Sequence, residues 1–204
     1  MTHVKQFVLI STLFMFSVTA FGYGVGYSSF PLKMKEKLLS AEATGILMDG
    51  GGIGMQGRFT YKAIDQILLD AGVGFSGGDR SSRLFAGADY EIFPDYMNQP
   101  RFSMKAVVER AKEFKNQELI LGITPTVSKG FNFWGHEGFP YVAVPVGLGL
   151  ATESNTYQTK ASLTLGINGK LPFENYKNLT GSIETNFNLS NTYTAVFMGV
   201  SYSL

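Results

Sequence analysis

Apolar and polar residues alternate along most of this chain with a period of two. Between positions 53 and 62, for example, apolar or small residues at odd positions alternate with Gln56, Arg58, Thr60 and Lys62. Because successive side chains of a β-strand point to opposite faces, this alternation predicts strands with one apolar and one polar face. Ten such segments lie at residues 38–48, 53–62, 66–75, 83–92, 102–109, 118–128, 142–150, 157–167, 179–189 and 196–204.

Turn-forming residues separate these segments, as at Asp49 to Gly52, Pro94-Asp95 and Asn168-Gly169. Segments of about ten residues joined by turns are typical of transmembrane barrels. The strands of a β-sandwich are shorter and commonly have about five or six residues. The sequence therefore predicts an all-β fold, an antiparallel up-and-down transmembrane β-barrel of about ten strands, with eight and twelve strands as the alternatives.

Two segments near the N-terminus fit this pattern less well. Residues 22–29 (GYGVGYSS) are a candidate for an additional strand, with a position outside the barrel wall as the alternative. Residues 32–43 have an ambiguous periodicity that is also compatible with a helix. Single-chain bacterial barrels usually have an even number of strands, which favours ten strands in the wall.

The first twenty residues are organised like a secretory signal peptide. Lys5 supplies a short positive region, residues 7–18 (FVLISTLFMFSV) form an apolar run, and Val18-Thr19-Ala20 offers a cleavage site. The apolar run is shorter than the roughly 20 residues that a membrane-spanning helix needs. We therefore predict Sec-type export with cleavage after Ala20, which leaves one barrel domain over residues 21–204.

The chain ends in a strand with a continuous apolar face. In water such an edge strand invites aggregation, whereas in a membrane barrel its edges are paired and its apolar face contacts lipid. The apolar positions are Val196, Met198, Val200, Tyr202 and Leu204. This ending resembles the C-terminal assembly signal of bacterial outer-membrane β-barrel proteins, although most of that family ends in Phe or Trp.

By architecture, the chain is similar to small barrels of the OmpA- and OmpW-like type. The resemblance implies a location in the outer membrane of a Gram-negative bacterium. It also implies two partners, the outer-membrane lipids and the outer-membrane barrel assembly machinery. The sequence gives no indication of the oligomeric state.

Charge and cysteine content exclude several classes of function. The chain has 17 basic and 16 acidic residues, and removal of Lys5 with the signal leaves 16 of each. A neutral chain without a basic run argues against nucleic-acid binding. With no cysteine and only His136 left after signal removal, a transition-metal site is not expected, and no cofactor is predicted.

The polar faces of the predicted strands define a candidate functional site in the barrel lumen. Opposite charges in a narrow lumen are expected to pair, because an unpaired charge with little water is costly. The interior of an eight-stranded barrel is filled by side chains, so a ten-stranded barrel of mixed charge is predicted to be closed by its own ion pairs. The predicted lumen charge network comprises Arg58, Lys62, Asp70, Asp89, Glu91, Lys105, Glu109, Lys160 and Glu184.

Glycines and tyrosines add two further predictions. Inward glycines either permit wall curvature or leave a cleft for a small solute; among them are Gly72, Gly74, Gly87, Gly149, Gly166 and Gly199. Tyrosines near strand ends suit the headgroup level of a membrane, and we predict a girdle of Tyr23, Tyr27, Tyr61, Tyr90, Tyr157 and Tyr202.

The sequence indicates an integral outer-membrane barrel without enzymatic activity. Its role is structural or that of a narrow, porin-like passage for small solutes. One alternative is a barrel enzyme acting on lipid or peptide, for which Ser128, His136 and Glu137 are the imaginable catalytic residues. A second alternative is a soluble periplasmic barrel that binds lipid inside. That alternative requires the apolar faces to point inward and the charges at 58, 70, 91 and 105 to point outward.

Overall fold

A computed structural model describes residues 24–47, 51–77, 80–113, 116–133, 136–152, 156–171 and 178–204. Within these ranges the chain is all-β, and no helix occurs that is long and apolar enough to cross a membrane. The strands are β1 (Lys37–Ile46), β2 (Ile53–Ile64), β3 (Ile67–Ser76), β4 (Arg80–Phe93), β5 (Arg101–Glu113), β6 (Asn116–Ser128), β7 (Phe131–Phe133), β8 (His136–Ala143), β9 (Val146–Ala151), β10 (Thr156–Lys170), β11 (Leu179–Ser190) and β12 (Ala195–Ser203).

The strands close into one antiparallel barrel. Each strand from β1 to β5 pairs with the next one along the chain, and so do β10 and β11. Strand β12 pairs with both β11 and β1, which completes the ring. Strands β8 and β9 both lie between β6 and β10, so they are two halves of one wall strand. The interruption falls at Val144 and Pro145, where proline cannot donate a ladder hydrogen bond. The wall therefore has ten strands, which confirms the predicted fold class and the favoured strand number.

The two ends of the barrel differ in their connections. The terminal end, where β1 begins and β12 ends, also carries the connection 94–100, the β7–β8 hairpin and the connection 171–178. The opposite end carries the connections 47–52, 77–79, 114–115, 152–155 and 191–194. The longest connections therefore share the end of the barrel at which the C-terminus lies.

The described part of the 22–29 segment contains turns rather than a strand, which agrees with the alternative of a position outside the wall. Strand β1 begins at Lys37, inside the segment 32–43 for which a helix was the other possibility. One turn prediction was wrong. The Asn168-Gly169 pair does not turn, because β10 continues to Lys170 and Asn168 points into the lumen. His136, a candidate residue of the enzymatic alternative, is the first residue of β8.

The barrel has an apolar outside and a polar inside. Large apolar side chains cover the outer wall, among them Met55, Phe75, Leu84, Leu121 and Ile183, each more than half exposed. Inward positions of β2, β3 and β5 carry Arg58, Asp70 and Lys105, which are all buried. The soluble lipid-binding alternative is wrong, because it requires the reverse arrangement.

Candidate functional site: the charged lumen

The structure places the predicted lumen charges on the inner wall. Eight of the nine are buried, and Glu91, near the terminal end, is half-buried. Three further buried charges, Glu42, Arg101 and Glu118, were missed by the sequence prediction. The alternation does mark them, since each is next to an outward or half-buried apolar residue, at Ala41, Phe102 and Leu119.

Among the described residues, Arg58 is at the centre of the largest ion-pair cluster. Its Nε lies 2.8 Å from Glu42 Oε1, and its Nη1 lies 2.6 Å from Asp70 Oδ2. The same Asp70 oxygen accepts a hydrogen bond from Lys105 Nζ at 2.6 Å. The Gln56 amide donates to Glu42, and the Phe85 ring lies 5.0 Å from the Arg58 guanidinium carbon. Strands β1 to β5 are thus tied together across the inner wall.

Two smaller clusters flank this centre. Towards the terminal end, Arg101 Nη2 lies 2.9 Å from Asp89 Oδ2, and Arg101 also pairs with Glu91. Towards the opposite end, Lys160 Nζ lies 2.9 Å from Glu118 Oε2. Oppositely charged side chains therefore pair at three levels of the lumen, around Arg58, Arg101 and Lys160, as the mixed charges of the sequence predict.

Glycines of the inner wall make room for the charged side chains. A Cβ at Gly87 would lie 2.6 Å from both Asp70 Oδ1 and Lys105 Cε. A Cβ at Gly149 would lie 2.3 Å from Glu118 Oε1 and from Lys160 Cε. The space next to these two glycines is therefore filled by ion pairs of the lumen and does not form an empty cleft.

Residues 24–30 lie inside the lumen and are all buried. The carboxylate of Glu184 accepts hydrogen bonds from the backbone N–H groups of Val25, at 2.9 Å, and Gly26, at 3.3 Å. Tyr27, which was predicted to belong to the membrane girdle, is only 1% exposed and donates to Ser182 Oγ. Its girdle prediction was wrong, because the N-terminal segment enters the barrel instead of crossing its rim.

The lumen is closed at the level of its charges. Arg58, Lys105 and Lys160 are each 1% exposed, although a water-filled channel would leave such side chains hydrated. A cavity near the opposite end, next to Thr44 and Arg83, measures about 10 Å³, which is about the volume one water needs. The described residues therefore form a filled interior.

An ion pair at the terminal end lies outside the barrel wall. In the connection between β4 and β5, the Asp95 carboxylate accepts hydrogen bonds from Lys129 and, at 2.7 Å, from the Gly130 N–H. Partial burial raises the pKa of Asp95, but the two hydrogen bonds together lower it by more than burial raises it. The pKa therefore lies below its usual value. Charged Asp95 therefore links this connection to the end of β6.

The pKa of Asp95 predicts a small pH-dependent stabilisation. Because the folded pKa is depressed, the stabilisation is complete above the ordinary value of about 3.9 and is lost as the pH falls through the folded pKa. We expect Asp95→Asn to cost about 1 kcal/mol or less at pH 7 and nothing measurable at pH 2.5. Urea unfolding in detergent at both pH values measures this difference. Asp65→Asn, in the β2–β3 turn, is the control, and an equal loss in both variants would contradict the assignment.

The other candidate residues are distributed over both sides of the wall. Met198, Val200, Tyr202 and Leu204 are exposed on the outer face, and Val196 is half-buried. Ser128 is buried and faces the lumen, whereas His136 and Glu137 are exposed and border a groove of about 570 Å³ on the outer wall. The structure does not bring this serine and histidine to the same side. Among the described residues, no group of three metal-binding side chains is placed to hold an ion.

Comparison with known proteins gives a structural likeness alone. No protein-family model matches the sequence, and no curated protein matches it. Among solved structures, the chain is similar to one described as "De novo design of transmembrane beta-barrels". The identity is 15%, the alignment covers 86% of this chain and 100% of that chain, and the TM-score is 0.43. The geometry itself defines the class: a closed ten-stranded antiparallel barrel with a charged, filled lumen and an apolar outer wall.

Proposed function

We propose that this protein is an integral barrel of the bacterial outer membrane, closed at rest, with a structural or narrow-passage role. The observation that carries the proposal is the polarity of the wall. Apolar side chains such as Leu121 and Ile183 face outward, and charges such as Arg58 and Lys105 face inward. A protein in water would gain from the reverse arrangement, whereas hydrocarbon around the barrel favours this one.

The dimensions of the wall also support a membrane position. A tilted transmembrane strand needs about 9–11 residues. Strands β1 and β3 have 10 residues each, β2 has 12, and β12 has 9. Within the described residues, every strand of the ten-stranded ring has a neighbour on both sides, as a wall surrounded by lipid requires.

The filled lumen favours the structural role over free passage. An open pore requires water along its whole length. Among the described residues, the buried segment 24–30 and the ion pairs around Arg58, Arg101 and Lys160 together fill the interior. Passage of a small solute would require part of the interior to move. We therefore propose that the resting barrel does not conduct.

The outward face of β12 supports a role in assembly. Met198, Val200, Tyr202 and Leu204 form its apolar stripe and are accessible on the outer wall. We propose that the barrel assembly machinery binds this stripe during insertion and that the stripe contacts outer-membrane lipid afterwards. Signal cleavage after Ala20 would precede this step.

Gel mobility of the outer-membrane fraction tests the proposed location and fold. We expect a band in that fraction whose mobility changes on boiling, because a closed hydrogen-bonded barrel resists detergent until heated. We also expect purified protein to leave a planar bilayer at baseline conductance. Recovery from the soluble periplasm without a heat-dependent shift would contradict the membrane barrel, and steady conductance would contradict the closed resting state.

A further inference from the structure

The charged side chains that contact the N-terminal segment also have partners on the barrel wall. Arg58 contacts Glu42 and Asp70, which are both wall residues. Lys105 likewise pairs with Asp70, and Glu184 accepts a hydrogen bond from the Tyr141 hydroxyl at 2.6 Å. If residues 24–30 left the lumen, each of these charges would therefore keep a wall partner.

The wall binds this segment mainly through its backbone. Arg58 Nη2 donates to the Gly24 carbonyl at 3.0 Å, and Lys105 Nζ donates to the Val25 carbonyl at 3.0 Å. Asn168 Nδ2 donates to the Gly26 carbonyl, also at 3.0 Å. Together with the bonds from Val25 and Gly26 to Glu184, side chains of four strands contact three consecutive residues. This arrangement is a preformed site for a short peptide.

Side-chain requirements make the site selective. Gly26 has a φ of 76°, a backbone conformation that favours glycine, and a Cβ there would lie 2.4 Å from Arg58 Nη1. A Cβ at Gly24 would lie 2.7 Å from Glu184 Oε1. Tyr27, which directly follows Gly26, and Phe30 pack in an apolar cluster with Leu38 and Leu68. The matching ligand is a glycine-rich peptide followed by an aromatic residue.

We infer that the lumen is a peptide-binding site whose resident ligand is the segment 24–30, and that this segment exchanges with the same sequence supplied as a separate peptide. The inference rests on the proposed membrane-spanning barrel. When the site is vacated, water fills a lumen whose described buried charges are five basic and six acidic residues. The vacated barrel would then pass small solutes with little selectivity for their charge.

The substitution Gly26→Val in the whole protein tests this inference by bilayer conductance. Because of the strained φ and the contact with Arg58, the segment should leave the lumen, and the open fraction should rise about tenfold or more. Gly57→Val is the matched control, since a Cβ at Gly57 meets nothing within 4 Å. A synthetic peptide of residues 21–32 should close the Gly26→Val channel, and the same peptide with valine at position 26 should not.

The inference is overturned if the Gly26→Val protein keeps its heat-dependent gel shift and its bilayer conductance stays at baseline. If neither the wild type nor Gly57→Val shows a heat-dependent gel shift, the result instead contradicts the proposed membrane barrel. If Gly26→Val alone fails to fold, the labelling of Ser28→Cys tests the inference instead. The label is specific because the chain has no cysteine of its own. A maleimide on a polymer too wide for the lumen should label this cysteine and spare Ser162→Cys on the wall. Equal labelling of both, or of neither, would overturn the inference.

Discussion

Leu121→Arg is expected to prevent stable insertion of the barrel. Leu121 lies near the middle of β6 on the outer wall and is 56% exposed. An arginine at the midplane of a bilayer costs about 2–4 kcal/mol in a transmembrane barrel. We expect the variant to lose most of its heat-resistant band in the outer-membrane fraction, and refolding into lipid vesicles followed by urea titration measures the loss of stability.

Val127→Arg is the matched control for this prediction. Val127 also faces outward on β6, but it lies one residue before the end of the strand at Ser128. Near the membrane interface the same substitution costs about 0–1 kcal/mol. A loss that depends on depth would show that the outer wall meets hydrocarbon. Equal, small effects at both positions, with better solubility of Leu121→Arg in water, would contradict the membrane position.

The wall was predictable because each of its strands obeys one local rule. The alternation around Arg58 and Lys105 identified their inward faces without any knowledge of their partners, because the period of a strand fixes which side chains share a face. The same rule fixed the outward positions of Met198 and Val200. It failed at Asn168-Gly169, where two residues typical of turns occupy the inner wall of a strand that continues.

The position of residues 24–30 could not be predicted from the sequence. GYGVGYSS alternates as a strand does, but its place is decided by contacts with residues up to 159 positions away, as between Val25 and Glu184. The tyrosine at position 27 fits a membrane girdle by composition and a lumen cluster by contact. Partner identity in the charge clusters was unpredictable for the same reason, since Lys160 and Glu118 are 42 positions apart and meet across β9, which pairs with both of their strands.

Arg58→Met is expected to destabilise the folded barrel by about 3–5 kcal/mol, because removal of one partner leaves buried charge uncompensated. The Arg58 side chain is inaccessible and contacts both Glu42 and Asp70. Asp70 keeps Lys105, whereas the carboxylate of Glu42 keeps only its contact with Gln56 among the bonds described above. Urea unfolding in detergent, with and without the second substitution Glu42→Gln, measures the cost, and the double variant should recover part of it.

The comparison with Arg110→Met decides what this loss means. Arg110 is on β5, exposed on the outside, and its loss removes the same charge and a hydrogen bond to Gln117. If the lumen is filled, Arg58→Met must cost several times more than Arg110→Met, since water cannot reach the carboxylates left behind. A similar cost in both variants would mean that water hydrates Glu42 and Asp70 in the folded state. The resting barrel would then hold a water path, and the proposed structural role would give way to passage of solutes.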